Sequence, residues 1–530
     1  MEETLEFNRH TKILFIGELI NFILSLGLNL FLIRFLTIDE FSYFNRILVI
    51  PTILVYVADF GLFHGCLYYV ARFSRSHENQ ESRNVIMITL IVKSLIGLGL
   101  SLLLMIFSQG FISTIIGIQE QSFIPILQIA SFLLLGKSML EGVLAVLQGL
   151  MKMLTLSILK IIQIGSQLIL TVFLVILGFR LNGSVIGFVI SMAIAGVIGV
   201  LYLYKKYLKN KEEGDFNWNY LPKIVRQGFF YSFNSILTNN RNDFFTIFLT
   251  LLSFFSEVSY LKVGISITTV FYLILRPIKL TITPIFSKHS WNNEEDRKVL
   301  TQVFHYSIRF STILITPVIF FTIIFASELI PVIFGSNYAI SVPFNSLFLS
   351  SFIPLTIGMM VVPPFLFGQR LTRLAFLVDF ISVAASVSLA VILSISFGGL
   401  GYALGISLGA VIGLLFAMFI THKIYGKLFP RIREILFIVI IAGILCLCLY
   451  ISYSFFINMF LLRDQILRLI ISGFIFLLYS FLYLVILIRL KLIKYTEITY
   501  FLKEFQKIPI FNKIFLIIVK LVKKMSKSKS

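Results

Sequence analysis

The stretch MLTLSILKIIQIGSQLILTVFLVILGFRLNGSVIGFVISMAIAGVIGVLYLY, residues 153–204, decides the fold class of this chain. Its charged side chains are Lys160 and Arg180 alone, and a helix needs about 20 apolar residues to cross the hydrocarbon core of a bilayer. The stretch therefore predicts two membrane-crossing helices, 153–178 and 183–204. Similar runs recur almost from end to end of the chain, which indicates an integral membrane protein built of helices.

The overall composition agrees with this interpretation. Of the 530 residues, 58% are hydrophobic and 13% are charged, and the mean hydropathy is +0.96. A soluble domain of this size would carry far more charge on its surface. The three cysteines, Cys66, Cys446 and Cys448, all lie in apolar runs and predict neither a disulfide framework nor a metal site.

The predicted fold is an all-α integral membrane protein with about 14 transmembrane helices, arranged as two six-helix lobes in parallel repeat plus a C-terminal helix pair. The predicted spans are 13–36, 44–71, 84–107, 122–148, 153–178, 183–204, 224–252, 257–285, 299–327, 341–367, 372–397, 400–422, 434–457 and 464–489. The predicted domains are an N-terminal lobe at 1–208, a C-terminal lobe at 209–425, an additional helix pair at 426–490 and a basic amphipathic tail at 491–530.

The distribution of positive charge gives the orientation. Of the 45 Lys and Arg residues, about 32 fall in segments on one side of the predicted spans and about four on the other. Cytoplasmic loops carry the excess of positive charge. The bias therefore predicts that both termini and the 205–226 loop are cytoplasmic, in a multi-pass protein of the cell membrane.

The two predicted lobes show a short internal repeat. A shift of 217 residues aligns Glu40-Phe41-Ser42-Tyr43 with Glu257-Val258-Ser259-Tyr260, each at the outer end of the second span of its lobe. Because each lobe has an even number of spans, such a repeat is parallel and places a substrate path between the lobes. A chance match of two short segments is the alternative interpretation.

A polar cluster in the seventh predicted span is the first candidate site. Asn240, Arg241 and Asp243 lie near the middle of that span, where ionisable groups are costly unless they face water or a partner. Residues two apart on a helix do not face each other. We therefore expect at least one of Arg241 and Asp243 to line a wet cavity.

The eighth predicted span supplies a second group of cations. Arg276 and Lys279 are three residues apart and share a helix face, and Pro277 can kink the helix between them. Two cations on one face suit an anionic group such as phosphate. The alternative is that both side chains reach the lipid headgroups.

Other ionisable residues within spans allow a structural or a functional role. Lys137 and Glu141 are four apart and can pair on one helix face or contact a substrate. The repeat offset aligns Asp59 with Arg276, which suggests a gating pair; the alternative is that each is satisfied within its own bundle. A further set near span ends is interpreted as reaching the headgroups: Arg46, Lys160 and Lys262.

No motif of a nucleotide-hydrolysing, metal or acyl-transfer site occurs, so we expect a transporter without a cofactor and not an enzyme. The tail after Arg489 alternates Leu, Ile and Phe with Lys at helical spacing, and Pro509 divides it. Such a basic amphipathic segment predicts binding to anionic lipid headgroups, with docking to a protein partner as the alternative. Nucleic acid is not an expected partner.

Two short motifs resemble the polysaccharide flippases of the multidrug/oligosaccharidyl-lipid/polysaccharide exporter superfamily. They are Glu40-Phe41-Ser42-Tyr43, with Ser42 where the family more often has Gly, and Asp59-Phe60-Gly61-Leu62 within the long second span. The segment 326–354 is similar to the family's stretch after the ninth span. The resemblance implies two six-helix bundles in a V with two extra helices, and the flipping of an isoprenoid-linked oligosaccharide to the outer leaflet.

We therefore predict a flippase for a lipid-linked oligosaccharide or polysaccharide precursor, with glycan-assembly enzymes as further partners. The alternatives are a cation-coupled multidrug exporter of the same superfamily and a membrane glycosyltransferase or polymerase. The candidate substrate-binding residues are Arg241, Arg276, Lys279, Lys93 and Asn240. The candidate gating or coupling residues are Asp59, Asp243 and Glu18. No metal ligand is predicted.

Overall fold

The computed structural model describes residues 2–75, 79–111, 123–209, 217–239, 241–252, 254–426, 428–430, 432–459, 464–490 and 492, and these ranges contain helices and no strand. Apart from residue 492, the predicted tail lies outside them. The α-helices are α1 (Glu2–Phe35), α2 (Ile38–Val57), α3 (Leu62–Arg75), α4 (Asn79–Ile106), α5 (Ser108–Phe111), α6 (Ile124–Gly149), α7 (Met153–Leu174), α8 (Arg180–Leu203), α9 (Tyr220–Asn239), α10 (Arg241–Leu251), α11 (Phe255–Lys288), α12 (Glu294–Ile324), α13 (Ala326–Phe334), α14 (Val342–Ser350), α15 (Phe352–Pro354), α16 (Val362–Gly368), α17 (Thr372–Tyr425), α18 (Ile432–Met459) and α19 (Gln465–Arg489).

Ten helical stretches in the described ranges are long and apolar enough to cross a membrane. Two of them, Met153–Leu208 and Arg373–Tyr425, are 56 and 53 residues long, about twice the length that one crossing needs. Each contains a glycine with positive φ, Gly178 (φ 95°) and Gly398 (φ 55°), where the helix cannot continue regularly. The all-α membrane fold is thus confirmed, and the count of fourteen helices stays a prediction.

The second predicted span, 44–71, differs from the structure at its start. α2 begins six residues earlier, and Thr37 caps it: the Glu40 amide donates to Thr37 Oγ1 at 3.2 Å, and the Thr37 amide donates to Glu40 Oε2 at 2.8 Å. This reciprocal arrangement satisfies amides at the helix N-terminus that would otherwise lack partners. In the sequence, the Thr-x-x-Glu spacing at residues 37–40 is the pattern that indicates this helix start.

The same predicted span is also interrupted at its middle. Phe60 and Gly61 have φ values of 45° and 92°, so α2 ends at Val57 and α3 starts at Leu62. Positive φ is incompatible with a right-handed helix, and glycine is the residue that adopts it most readily. The break places a short non-helical segment inside an otherwise apolar crossing.

The described chain divides into two compact units. Unit 1 comprises Met1–Lys262 with Ser394–Gly399, and unit 2 comprises Val263–Leu393 with Leu400–Ser530. A core of unit 1 forms where α3, α4, α6 and α9 pack, from apolar side chains that include Leu62, Cys66, Val70, Val85, Val143, Val146 and Ile224. The domain boundaries of the sequence analysis follow the repeat rather than these units, and they stay predictions.

Unit 2 has phenylalanines among the aliphatic side chains of its core and carries the last two helices. Phe286 and Phe365 pack edge to face, with ring centroids 5.2 Å apart. α18 and α19 pack on α12 and on each other; the Tyr479 hydroxyl donates to the Ala442 carbonyl at 3.0 Å, and Phe325 contacts Tyr453 at 5.3 Å between centroids. Tyr479 thus keeps a polar partner for its hydroxyl while its ring fills the core.

Candidate functional site

A buried network of charges forms at the break between α2 and α3. The carboxylate of Asp59 accepts a hydrogen bond from the Phe63 amide at 3.2 Å, which satisfies an amide in the first turn of α3. Asp59 also forms an ion pair with Lys93 of α4. Both side chains are buried, and a buried charge requires a partner of this kind.

Lys93 contacts two carboxylates at once. Besides Asp59, its Nζ lies 3.3 Å from Glu141 Oε2 of α6, and the Lys93 side chain is 2% exposed. The predicted pairing of Lys137 with Glu141 is therefore replaced by a pairing with Lys93. Lys137 Nζ instead lies 4.3 Å from the centroid of the Tyr56 ring, a cation–π contact.

α9 completes the network from the other side of α3. Ser232 Oγ donates to Asp59 Oδ2 at 2.7 Å, and His64 Nδ1 lies 3.4 Å from the same hydroxyl. The two helices approach closely here, because a Cβ atom added at Gly228 would overlap the Gly61 carbonyl oxygen.

The other two predicted carboxylates lie outside this network and have their own cations. Glu18 of α1 accepts from Lys160 of α7 at 2.8 Å. Asp243 of α10 lies 3.2 Å from Lys262 of α11. Lys160 and Lys262 thus each pair with a carboxylate of another helix, and their interpretation as headgroup contacts stays a prediction.

The Asp243–Lys262 pair borders a cavity of about 340 Å³ in unit 1. The walls come from α1, α2, α7, α8, α10 and α11. Half of the lining side chains are polar: Ser25, Asn29, Asn45, Thr52, Gln163, Gln167, Asp243 and Lys262. The sequence signal that could have revealed this site is Gln163 and Gln167, two amides four residues apart in an apolar helix.

The starts of α2 and α11 meet through a reciprocal pair of hydrogen bonds. Ser42 Oγ donates to the Phe255 carbonyl at 2.6 Å, and Ser259 Oγ donates to the Ile38 carbonyl at 2.8 Å. The two serines are 217 residues apart in the sequence, and so are Ile38 and Phe255, whose carbonyls accept the two bonds. The two segments of the proposed repeat therefore make equivalent contacts with each other.

Further contacts surround the reciprocal bonds at this end of unit 1. The Arg46 guanidinium lies 4.4 Å from the Phe255 ring centroid, and Arg180 Nη2 lies 2.9 Å from Glu40 Oε2. In the second repeat Glu257, which aligns with Glu40, accepts a hydrogen bond from the Gly399 amide at the bend of α17. The interpretation of Arg46 as a headgroup contact was wrong, because the side chain is 3% exposed.

The structure brings together only some of the predicted residues. Asp59 and Lys93 pair directly, while Glu18 and Asp243 belong to separate ion pairs. The side chains of the predicted cations Arg241, Arg276 and Lys279 lie outside the described part of the structure, as does all of Asn240. Sequence reasoning missed Ser232, Gln163 and Gln167.

Among the described residues no group of His, Cys, Asp or Glu is placed to hold a metal ion.

Solved structures of membrane transporters share this fold. The lipid II flippase MurJ in an inward closed conformation aligns with a TM-score of 0.65 at 17% identity, over 90% of this chain and 100% of that chain. An inward-facing multidrug resistance MATE family transporter of the MOP superfamily aligns with a TM-score of 0.61 at 16% identity, over 77% and 96%. A mutant of the Vibrio cholerae MATE transporter VcmN gives 0.57 at 15% identity, over 79% and 97%.

A comparison with curated proteins found no match. A comparison with sequence families gave a more specific result than the solved structures did. The family described as "Polysaccharide biosynthesis protein" matches residues 8–290, more than half of the chain. That region includes the buried charge network, the cavity and the reciprocal hydrogen bonds. The chain therefore belongs to the polysaccharide biosynthesis protein family, as a multi-pass membrane protein whose fold is similar to those of the lipid II flippase and the MATE transporters.

Proposed function

We propose that this protein is a flippase that moves an isoprenoid-linked oligosaccharide or polysaccharide precursor across the cell membrane by alternating access. Its membership of a polysaccharide biosynthesis family, on a chain of membrane-crossing helices, carries the proposal. The fold shared with a lipid II flippase supports it. The distribution of Lys and Arg supports cytoplasmic termini, with the basic tail at 491–530 on anionic headgroups.

The proposed mechanism separates the lipid from the head group of the substrate. The isoprenoid chain stays in the bilayer, while the charged head crosses inside the protein, because phosphate in hydrocarbon is prohibitively costly. Arg241, Arg276 and Lys279 are the proposed phosphate-binding cations, together with Asn240. Lys93 can take this role only if its bonds to Asp59 and Glu141 open.

The carboxylates are proposed to couple or gate the movement. Asp59, Glu18 and Asp243 each join two helices through a cation in this state of the protein. A phosphate that competes for one of those cations would release the carboxylate and weaken the helix contact. In this proposal no bond of the substrate is made or broken, and the protein is a transporter rather than an enzyme.

Reconstitution of the purified protein tests the function. Vesicles would contain undecaprenyl-diphosphate-linked oligosaccharide in both leaflets, and impermeant periodate added outside would oxidise only the exposed sugars. We expect protein-free vesicles to protect the inner-leaflet fraction and vesicles with protein to lose that protection. Full protection with folded protein, with and without an imposed ion gradient, would contradict the proposal.

The same vesicles separate the alternatives. A membrane glycosyltransferase or polymerase needs further sugar donors or acceptor chains, so without nucleotide sugar it leaves the protected fraction unchanged. A multidrug exporter would transport a cationic dye under an ion gradient and leave the lipid-linked sugar in place. The shared fold of the MATE transporters is the reason to include that dye.

A further inference from the structure

The cavity in unit 1 has the lining of a site for uncharged polar groups. Its amide side chains come from three helices: Asn29 from α1, Asn45 from α2, and Gln163 and Gln167 from α7. Amides offer both donors and acceptors, and sugar hydroxyl and acetamido groups require both. A volume of about 340 Å³ is at the small end of the range for small-molecule sites.

Internal hydrogen bonds hold three of these amides in place, those of Gln163, Gln167 and Asn45. Gln163 Nε2 donates to Gln167 Oε1 at 3.0 Å, and Asn45 Nδ2 donates to the Phe41 carbonyl at 2.7 Å. Each bond uses one polar atom of the amide and leaves the other for a ligand. Gln167 is 4% exposed, so its amide lies in a largely dry site, where an additional hydrogen bond contributes more than it would in water.

The charges around the cavity argue against phosphate as its ligand. Among the described lining residues, the charged side chains are Asp243 and Lys262, and they pair with each other at 3.2 Å. A diphosphate requires cations that are not already neutralised, as in the arginine and lysine clusters that bind phosphate elsewhere. An uncharged sugar requires only hydrogen bonds, which the amides provide.

We propose that this cavity is a sugar subsite, which holds one or two uncharged sugar rings of the substrate's head group through Gln163, Gln167 and Asn45. The diphosphate is assigned to other residues, Arg241, Arg276 and Lys279. This inference rests on the proposed function and adds to it the part of the substrate that unit 1 recognises.

Binding of two probes to the purified protein tests the subsite. One probe is undecaprenyl diphosphate bearing a single N-acetylglucosamine, and the other is undecaprenyl diphosphate without sugar. We expect the wild-type protein to bind the glycosylated probe about tenfold more tightly, which corresponds to about 1.4 kcal/mol. In Gln167→Leu this preference should fall to nearly one, with binding of the sugar-free probe unchanged.

The control is Gln128→Leu, because Gln128 bonds to Ser108 at 3.4 Å and lies outside the cavity. It should keep the tenfold preference. Gln163→Leu is the second cavity variant, for use if Gln167→Leu fails to fold.

Other results have distinct meanings. A wild-type protein that binds both probes equally, or a folded cavity variant that keeps the full preference, overturns the sugar subsite while leaving the flippase proposal in place. A folded wild-type protein that binds neither probe overturns both. Loss of binding to both probes in the cavity variants also overturns the subsite, since it indicates a general structural role.

Discussion

Lys93 is the residue on which the buried network depends. Its ammonium group lies between the carboxylates of Asp59 and Glu141, and its side chain is 2% exposed. Two carboxylates this close would repel each other in a medium of low dielectric constant if the cation were absent. The network is therefore not symmetric: the loss of the lysine leaves two unpaired charges, whereas the loss of one carboxylate leaves an ion pair.

This asymmetry predicts the order of stability of three variants. Lys93→Met should destabilise the protein by about 3–5 kcal/mol, the cost of removing one partner of a buried ion pair. Asp59→Asn should cost less, because Glu141 still neutralises the lysine. Combining the two changes should recover part of the loss. Thermal unfolding of the purified protein in detergent measures all three, and a double variant less stable than Lys93→Met would contradict the arrangement.

A second prediction at this scale concerns Arg241, a proposed phosphate-binding residue. Arg241→Ala should abolish flipping in the vesicle assay while the amount of folded protein stays near normal, because its role is to offset substrate charge. The control is Arg226→Ala, an exposed arginine at the start of α9. Full flipping by Arg241→Ala would exclude a necessary role in phosphate binding, and loss of the protein itself would indicate a structural one.

Sequence reasoning identified the individual charges but not their partners. Asp59, Lys93 and Glu141 stood out because ionisable groups are costly inside an apolar span. Their pairing depends on which faces of α3, α4 and α6 meet, and the helical period of one segment cannot reveal that. Ser232 carried no signal at all, since a serine is unremarkable in a membrane helix until its partner is known.

At the scale of elements, the break between α2 and α3 is fixed by two structural constraints. Gly61 has a φ of 92°, and a Cβ at this position would overlap the backbone of Gly228 and Phe229 in α9. The break is thus required both by the local backbone and by the close approach of another helix. It also directs Asp59 towards Lys93 and Ser232.

Alanine substitution of glycines tests that requirement. Gly61→Ala should destabilise the protein by more than about 1–2 kcal/mol, the cost of the left-handed conformation alone, because the overlap with α9 adds to it. The control is Gly99→Ala in α4, where a Cβ would have no neighbour within 4 Å. That change should be neutral or stabilise by about 0.5–1 kcal/mol. Equal melting temperatures for the two variants would show that the break is not needed.

The reciprocal bonds between α2 and α11 predict a coupled effect of two serines. Each of Ser42→Ala and Ser259→Ala removes one hydrogen bond, worth about 0.5–1.5 kcal/mol. Together they should shift the equilibrium about 5–150-fold towards states in which these helix starts are apart. Spin labels at the exposed positions Asp39 and Ser256 would report this as a larger population of long distances.

A serine with a partner in its own helix provides the control. Ser346 Oγ donates to the Val342 carbonyl within α14 at 3.0 Å, so Ser346→Ala should leave the distances between the labels unchanged. Unchanged distances in the double variant as well would show that the serine bonds do not hold the two helix starts together.

The elements themselves were largely predictable, and their breaks were not. The length of each apolar run gave helices such as α4, α6 and α18 to within a few residues, because lipid requires every backbone amide to be bonded inside its own helix. The positive φ values at Gly61 and Gly398 occur where atoms of another helix approach closely, whereas Gly178 has no such neighbour within 4 Å. The sequence shows glycines at many positions and does not tell which of them interrupt a helix.

At the scale of the whole molecule, the number of crossings between two positions decides whether they share a side of the membrane. Between Asp39 and Lys209 lie α2, α4 and α6, which count as three crossings, and the stretch Met153–Leu208. That stretch is long enough for two crossings if it turns back near Gly178. With two crossings there the total is five, an odd number, and we expect the two positions to lie on opposite sides of the membrane.

Cysteine labelling tests this count together with the positive-inside orientation. In a variant with all three native cysteines replaced by alanine, Asp39→Cys should react with an impermeant maleimide in intact cells. Lys209→Cys should react only after permeabilisation, since the 205–226 loop carries a cluster of lysines. Both residues are exposed, so accessibility to the reagent depends on the side of the membrane rather than on burial. If Lys209→Cys reacts in intact cells and Asp39→Cys only after permeabilisation, the crossing count holds and the orientation is wrong. Equal labelling of both positions would show that Met153–Leu208 does not turn back near Gly178.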